Sequence, residues 1–246
     1  MAPPQPAPMR IRVGTSGYSF PAWRGRFYPE GLAPEAMLAF YATRFDCVEI
    51  NNTFYRLPKR DVLAHWADEV QGREGFTFVL KASQRITHQK RLAGAESELD
   101  FLLGNLSALG PTLGPLLFQL PPFLRRDAER LRAFLRLIPA GQRVAFEFRH
   151  ASWEHDETTG VLREAGAALA LAEDDDAPAP HPLPVTSDWG YVRLRKSAYD
   201  DDALRAWIAR LQAMPWRETF VFFKHEDDDP QGPAAALRFA DLAGRA

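Results

Sequence analysis

Six short runs share one pattern, and it limits the fold of this chain more than any other feature. In Val144-Ala145-Phe146-Glu147-Phe148-Arg149-His150, the residues Val144, Phe146 and Phe148 are apolar. The alternate set passes from Ala145 to Glu147 to Arg149. Successive side chains of a β-strand point to opposite faces, so this alternation predicts a strand. Cys47-Val48-Glu49-Ile50-Asn51, Phe78-Val79-Leu80-Lys81, Leu117-Phe118-Gln119-Leu120, Tyr191-Val192-Arg193-Leu194-Arg195 and Phe222-Phe223-Lys224-His225 behave alike. Each turns polar toward its C-terminal end. An ordinary amphipathic strand would put its polar set in water, whereas the recurrence here predicts that the polar ends share one place.

In chain order the strands alternate with helices. Ile11-Arg12-Val13 leads into Gly14-Thr15-Ser16-Gly17, a turn of small residues that lets the backbone pass close to a neighbour. Pro34 to Phe45 carries Met37, Leu38, Tyr41 and Phe45 at helical spacing. Asp61 can cap a second helix whose apolar face is Val62, Leu63, Trp66 and Val70. Strands at Phe76–Lys81, Pro115–Leu120, Ala168–Ala172, Gly190–Arg195 and Thr219–His225 join those at Ile11, Cys47 and Val144. Helices are predicted near Glu98–Leu109, Asp127–Ile138 and Thr158–Ala165, after an Asp200 cap, and through Leu237 and Leu242. Ala177-Pro178-Ala179-Pro180-His181-Pro182-Leu183-Pro184 cannot form a normal helix, because proline lacks a donor and blocks the preceding turn.

Alternating βα order implies a parallel sheet with right-handed crossovers. Eight such units in 246 residues favour closure over an open doubly wound sheet, for which there is no dinucleotide fingerprint. The expected fold is therefore α/β: one irregular, closed (β/α)8 TIM-type barrel over residues 10–246, behind a flexible Pro/Ala-rich tail, 1–9. A Pro-rich crossover between Asp175 and Asp188 replaces the helix after strand six.

Composition narrows the function classes. A formal net charge of −2 argues against a dedicated non-specific nucleic-acid binder, so any anion-binding surface must be local. The one cysteine, Cys47, forbids an internal disulfide and fits the reducing cytoplasm. No run of about 18 apolar residues predicts a membrane span.

The motifs GTSGY, FYPEGL, VEINNTFYRLP, FVLKAS-x-x-ITH, LFQLPP, VAFEFRHASW, YVRLR and FFKHE stand in this order from Gly14 to Glu226. The chain so resembles the domain of unknown function 72 (YecE-like) family. The resemblance implies a closed (β/α) barrel, irregular in its later units, and carries no assigned activity. Many members have His-Gly after the strand-seven arginine, where this chain has Lys196-Ser197.

In a parallel barrel, ligands bind where the C-terminal strand ends converge. Alternation directs Glu49, Asn51, Lys81, Gln119, Glu147, Arg149, Asp174, Tyr191, Arg193 and Arg195 inward, together with either Lys224 or His225. His88, on the loop after strand three, and the aromatic residues Tyr55 and Trp153 flank them. A purely structural network would pair Glu49 with Lys81, and Glu147 with Arg149 or Arg193. Burying so many charges is costly, and a barrel of Val, Leu and Ile would be at least as stable, so the cluster predicts function.

Cations outnumber carboxylates in this set, which suggests a small anionic or phosphate-bearing substrate, or a phosphodiester such as nucleic acid. The leading expectation is an acid/base hydrolase or lyase with Glu147 as base and Lys81, Arg149 and Arg193 as charge clamps. One alternative is a glycosidase-like carbohydrate hydrolase using Glu49 and Glu147. Another is a non-catalytic module that binds an anion. No cofactor is expected. A metal would have to come through Glu49, His88, Glu147, Asp174 or His225, which show no close ligand spacing.

Overall fold

The structure, a computed structural model, describes residues 9–177, 179, 183–224 and 231–244. Eight parallel strands are joined in the order β1-β8-β7-β6-β5-β4-β3-β2. They are β1 (Arg10–Thr15), β2 (Cys47–Ile50), β3 (Thr77–Lys81), β4 (Leu113–Gln119), β5 (Val144–Glu147), β6 (Ala168–Glu173), β7 (Trp189–Leu194) and β8 (Glu218–Phe223). Between them run α1 (Met37–Tyr41), α2 (Arg60–Glu69), α3 (Glu96–Leu106), α4 (Ala128–Leu135), α5 (Asp156–Glu164) and α6 (Asp201–Gln212), with α7 (Gln231–Leu242) last. This is the expected barrel. No helix occurs between β6 and β7 among the described residues. Pro178, Pro180, His181 and Pro182 of the crossover lie outside those residues, as do the tail through Pro8 and His225.

The barrel closes where β1 meets β2, at a bridge between Ser16 and Glu49 and a 2.8 Å bond from Gly17 N to Glu49 O. Deeper in the seam the Tyr41 hydroxyl stands in for a backbone ladder. It accepts from the Thr15 amide at 2.8 Å and donates to the Cys47 carbonyl at 3.1 Å. Gly14 is required here, since a Cβ would lie 2.1 Å from the Cys47 oxygen. The small residues of this turn thus serve close backbone approach.

The barrel interior is filled unevenly. Ala145, Ala168 and Ala170 on β5 and β6 leave room that Trp189, Tyr191, Phe220 and Phe222 on β7 and β8 occupy. The opposite faces of the strands, including Val48, Ile50, Leu80, Phe118, Phe146, Leu171, Val192 and Leu194, pack beneath the helices. At the N-terminal end, Glu218 receives Arg12 and Arg143, the latter at 2.6 Å. Both guanidiniums lie over the Phe220 ring.

Two helix starts follow the sequence rules closely. Asp127 accepts from Arg130 N at 2.9 Å, and Asp200 from Ala203 N at 2.8 Å. Asp61, in contrast, lies inside the first turn of α2 and Lys59 is the cap residue. Val62 is consequently exposed rather than on the apolar face. The predicted helix Pro34–Phe45 begins as a 3-10 turn, Pro34–Ala36, and its α-helical part ends at Tyr41. The loop after β3 holds a π-helical turn, Arg85–Gln89. No helix among the described residues is long and apolar enough to cross a membrane.

Candidate functional site

One arginine organises the polar end of the barrel. Arg193, on β7, is 3% exposed and reaches two carboxylates, one on β5 and one on β2. Its Nη2 donates to Glu49 Oε1 at 2.9 Å and its Nη1 to Glu147 Oε2 at 2.6 Å. Glu49 is fully buried and also accepts from Ser16 Oγ at 2.6 Å, Asn51 Nδ2 at 3.0 Å and Tyr191 Oη at 2.6 Å. Glu147 accepts in addition from Gln119 Nε2 at 2.8 Å and Arg149 Nε at 2.9 Å. Both carboxylates are thus ringed by donors.

Above this layer opens a cleft of about 470 Å³. Its lining includes Lys81, Arg149, Arg193, Arg195 and Lys224, with Asn51 and Gln119 between them and Tyr18, Phe20, Tyr55 and Trp66 as an aromatic wall. Among the described residues no carboxylate lines it. The Nε of Arg195 and the Oδ1 of Asn51 are buried in its wall without a partner among the described residues. Lys81 donates to Gln119 Oε1 at 2.8 Å and stands 4.2 Å from the centre of the Phe54 ring. A second hollow, about 400 Å³, lies at the other end between α4 and α5, lined by such residues as Leu135, Pro139 and Gly166. It lacks the converging buried charges that mark the C-terminal mouth.

The charges set one another's protonation. Burial pushes the Glu147 carboxyl up, but Arg193, Arg149 and the bond from Gln119 outweigh it and hold the group at about 2. Glu49 is likewise opposed by burial and drawn below the usual carboxylate range by Arg193, Ser16, Tyr191 and Asn51. Burial and the neighbouring Arg193 bring Lys81 down to about 8, although Glu147 and Glu49 pull the other way. Burial, then Lys81 and Arg149, also lower His88. At neutral pH the carboxylates are fixed anions, and Lys81 has been brought within reach of neutrality.

The predicted residues separate into layers. Lys81, Asn51, Gln119, Arg149, Arg193, Arg195, Lys224 and Tyr55 line the cleft; Glu49, Glu147 and Tyr191 lie beneath it. Lys224 thus faces the cleft, while His225 lies outside the described residues. Three residues stand elsewhere. Trp153 is buried against Phe148, with ring centres 4.4 Å apart, and donates to Leu124 O at 2.8 Å, so it packs within its loop rather than flanking the cleft. Asp174 uses its carboxylate to accept the Ala177 amide at 2.9 Å, closing the turn after β6. His88 binds Thr87 Oγ1 at 2.9 Å and packs edge-on against Phe54, outside the lining. The pairing expected between Glu49 and Lys81 is replaced by the bond from Lys81 to Gln119.

Sequence reading missed Ser16 and Trp66. Extending the alternation of β1 from Arg12 through Gly14 would have turned Ser16 inward; Trp66 reads from sequence as ordinary helix core. Among the described residues, no group of three or more His, Cys, Asp or Glu is placed to hold a metal ion.

Comparison with known proteins agrees with this architecture. YecE of Escherichia coli strain K12 is 32% identical over 153 residues, 60% of this chain and 53% of that protein. The chain thus spans about half the length of this curated relative. A DUF72 family protein from Thermotoga maritima superposes with a TM-score of 0.78 at 25% identity, covering 96% of this chain and 99% of the other. D-psicose 3-epimerase shares the fold at a TM-score of 0.57 and 12% identity, over 88% of this chain and 95% of that one. The family described as "Protein of unknown function DUF72" matches residues 12–246, and the chain belongs to it.

Proposed function

We propose that this chain is an acid/base enzyme whose substrate is a small, phosphate-bearing anion held in the cleft at the C-terminal mouth. The observation that carries the reading is the separation of charge. Five cationic side chains line the cleft and no described carboxylate does, while the carboxylates that steady Arg193 lie beneath it. Such an arrangement keeps guanidinium donors in place for phosphate or carboxylate oxygens. The volume suits a small molecule, which favours a metabolite-sized ligand over nucleic acid.

In this reading Glu49 and Glu147 are positioning residues. A carboxyl held at about 2 is a weak base at neutral pH, and with neither carboxyl protonated the glycosidase alternative lacks its acid. Lys81 is the residue suited to exchange a proton, because it faces the cleft and titrates close to neutrality. The compartment proposed is the cytoplasm, in keeping with a single, free cysteine.

Thermal melting in phosphate against chloride at matched ionic strength tests the reading. At one hundred times its dissociation constant, a ligand specific to the native state adds about 2.7 kcal/mol. We expect phosphate to raise the melting temperature in a saturable way. A response equal to that of chloride would remove the basis for an anion site.

A further inference from the structure

Lys81 is held unlike the other cations of the floor. Arg149 and Arg193 each donate to a carboxylate, whereas Lys81 Nζ donates to the neutral amide oxygen of Gln119 and faces the Phe54 ring. The orientation of that amide is set from below. Gln119 Nε2 donates to Glu147 Oε1, and Glu147 is itself fixed by Arg193 and Arg149, so the amide oxygen is what Gln119 presents to Lys81.

The charged groups acting on Lys81 come from several elements. They are Glu49 on β2, Glu147 on β5 and Arg149 just beyond it, and Arg193 on β7. His88, on the π-helical turn, and the cleft-lining Arg195 and Lys224 are the other titratable groups near it. Among the described residues no carboxylate lies within ion-pair distance of Nζ, so none locks the ammonium form in place. A neutral amine can go on donating one N–H to Gln119 while its lone pair remains free to attack.

Resting on the reading that the cleft binds an anion, we propose that Lys81 is a nucleophile toward carbonyl carbon and that the substrates are small phosphate-bearing aldehydes or ketones. The arginines hold the phosphate and Lys81 meets the carbonyl. The ammonium first releases a proton to solvent. Neutral Nζ then forms a C–N bond as the carbonyl π electrons pass to oxygen, which takes up a proton to give a carbinolamine. One proton then passes from Nζ to that oxygen, relayed by solvent, which expels the oxygen as water and leaves an iminium. The sum is ammonium plus carbonyl giving protonated imine plus water, with no oxidant or reductant. The iminium then withdraws electrons from the adjacent bonds, which is the chemistry of a lyase or isomerase rather than of a hydrolase.

The neighbours that support this role also supply its physical basis. Burial, then Arg193, lower Lys81 to about 8, so about a tenth of it is the free amine at pH 7. An ordinary lysine near 10.4 has far less than a hundredth in that form.

The chain has only five lysines, Lys59, Lys81, Lys90, Lys196 and Lys224, so labelling can be mapped on the unmodified protein. Trace acetylation with acetic anhydride, a neutral reagent, reads the amine alone. Pyridoxal 5′-phosphate followed by borohydride reads an anionic aldehyde, run with and without excess inorganic phosphate. We expect Lys81 to acetylate with a midpoint at about 8, and at neutral pH at least about tenfold faster than Lys59 or Lys90. The reduced pyridoxal adduct should fall mainly on Lys81, and phosphate should suppress it. Acetylation of Lys81 no faster than of Lys59 and Lys90 would overturn the nucleophile, whatever phosphate does. So would fast acetylation with no pyridoxal adduct at Lys81. Fast labelling by both reagents without phosphate protection would instead sink the anion site and leave the nucleophile standing.

Discussion

Both ends of this barrel carry arginine–glutamate clusters, and they are built to different ends. At the N-terminal end one carboxylate, Glu218, serves Arg12 and Arg143, and aromatic rings cover the guanidiniums. The three side chains are 10%, 17% and 37% exposed for Arg12, Glu218 and Arg143, so water shares in solvating them. At the C-terminal end one cation, Arg193, serves two carboxylates, and none of the three is more than 4% exposed. There the surplus cations stand in the cleft above. A plug needs only to satisfy its own charges; the mouth buries one layer of charge rigidly and leaves a second facing a cavity. Ligand binding in such a barrel belongs not to the tightest ion pairs but to the cations those pairs hold in place.

The largest effect should come from removing the shared cation. Arg193→Met strands two buried carboxylates, and the expected loss is about 3–5 kcal/mol in denaturant unfolding. Unfolding at the parent midpoint would show that the carboxylates are not held as described. At the plug, Glu218→Gln should lose only roughly 1–2 kcal/mol, because partial exposure lets water replace the lost charge. An equal loss at both ends would erase the contrast.

Smaller effects follow from protonation, and the two ends of the pH scale test different layers. Glu147 is held at about 2, below its ordinary 4.5, so its contribution is complete above 4.5 and is lost as pH falls toward 2. Lys81 acts with the other limb. Its folded value, about 8, lies below its ordinary 10.5, so the unfolded chain keeps the proton longer. Stability should therefore rise as pH climbs from about 8 to 10.5, and phosphate should weaken that rise by favouring the ammonium. Denaturant melts across pH, with and without phosphate, check both limbs. A flat alkaline limb would place Lys81 in an ordinary solvated setting.

Much of this organisation was legible in the chain itself. The alternation of Phe146, Glu147, Phe148 and Arg149 reports which side chains share a face, and a barrel gives that face only one place to point. Capping by Asp200 was readable because it is local. What meets what across the barrel was not. Arg193 on β7 joins Glu49 on β2 to Glu147 on β5, and no single strand encodes that meeting. The same holds for Lys81, whose partner is the Gln119 amide on the next strand rather than a carboxylate. The place of Trp153 was not legible, because an aromatic residue after a strand end reads alike whether it faces a ligand or the loop beneath it. The π-helical turn at Arg85–Gln89 escaped because it has no hydrophobic period of its own.

The claim that the mouth's outer cations serve an anion is tested most directly by calorimetric titration of phosphate into the parent, Arg195→Gln and Glu218→Gln proteins. Arg195 lines the cleft with its Nε unpartnered among the described residues, so its loss should leave folding nearly intact. Phosphate should bind the parent saturably, and Arg195→Gln should weaken that binding about tenfold or more, a loss of about 1.4 kcal/mol. Glu218→Gln, at the far end, should bind as the parent does. No measurable heat with the parent, or equal weakening by both substitutions, would contradict it.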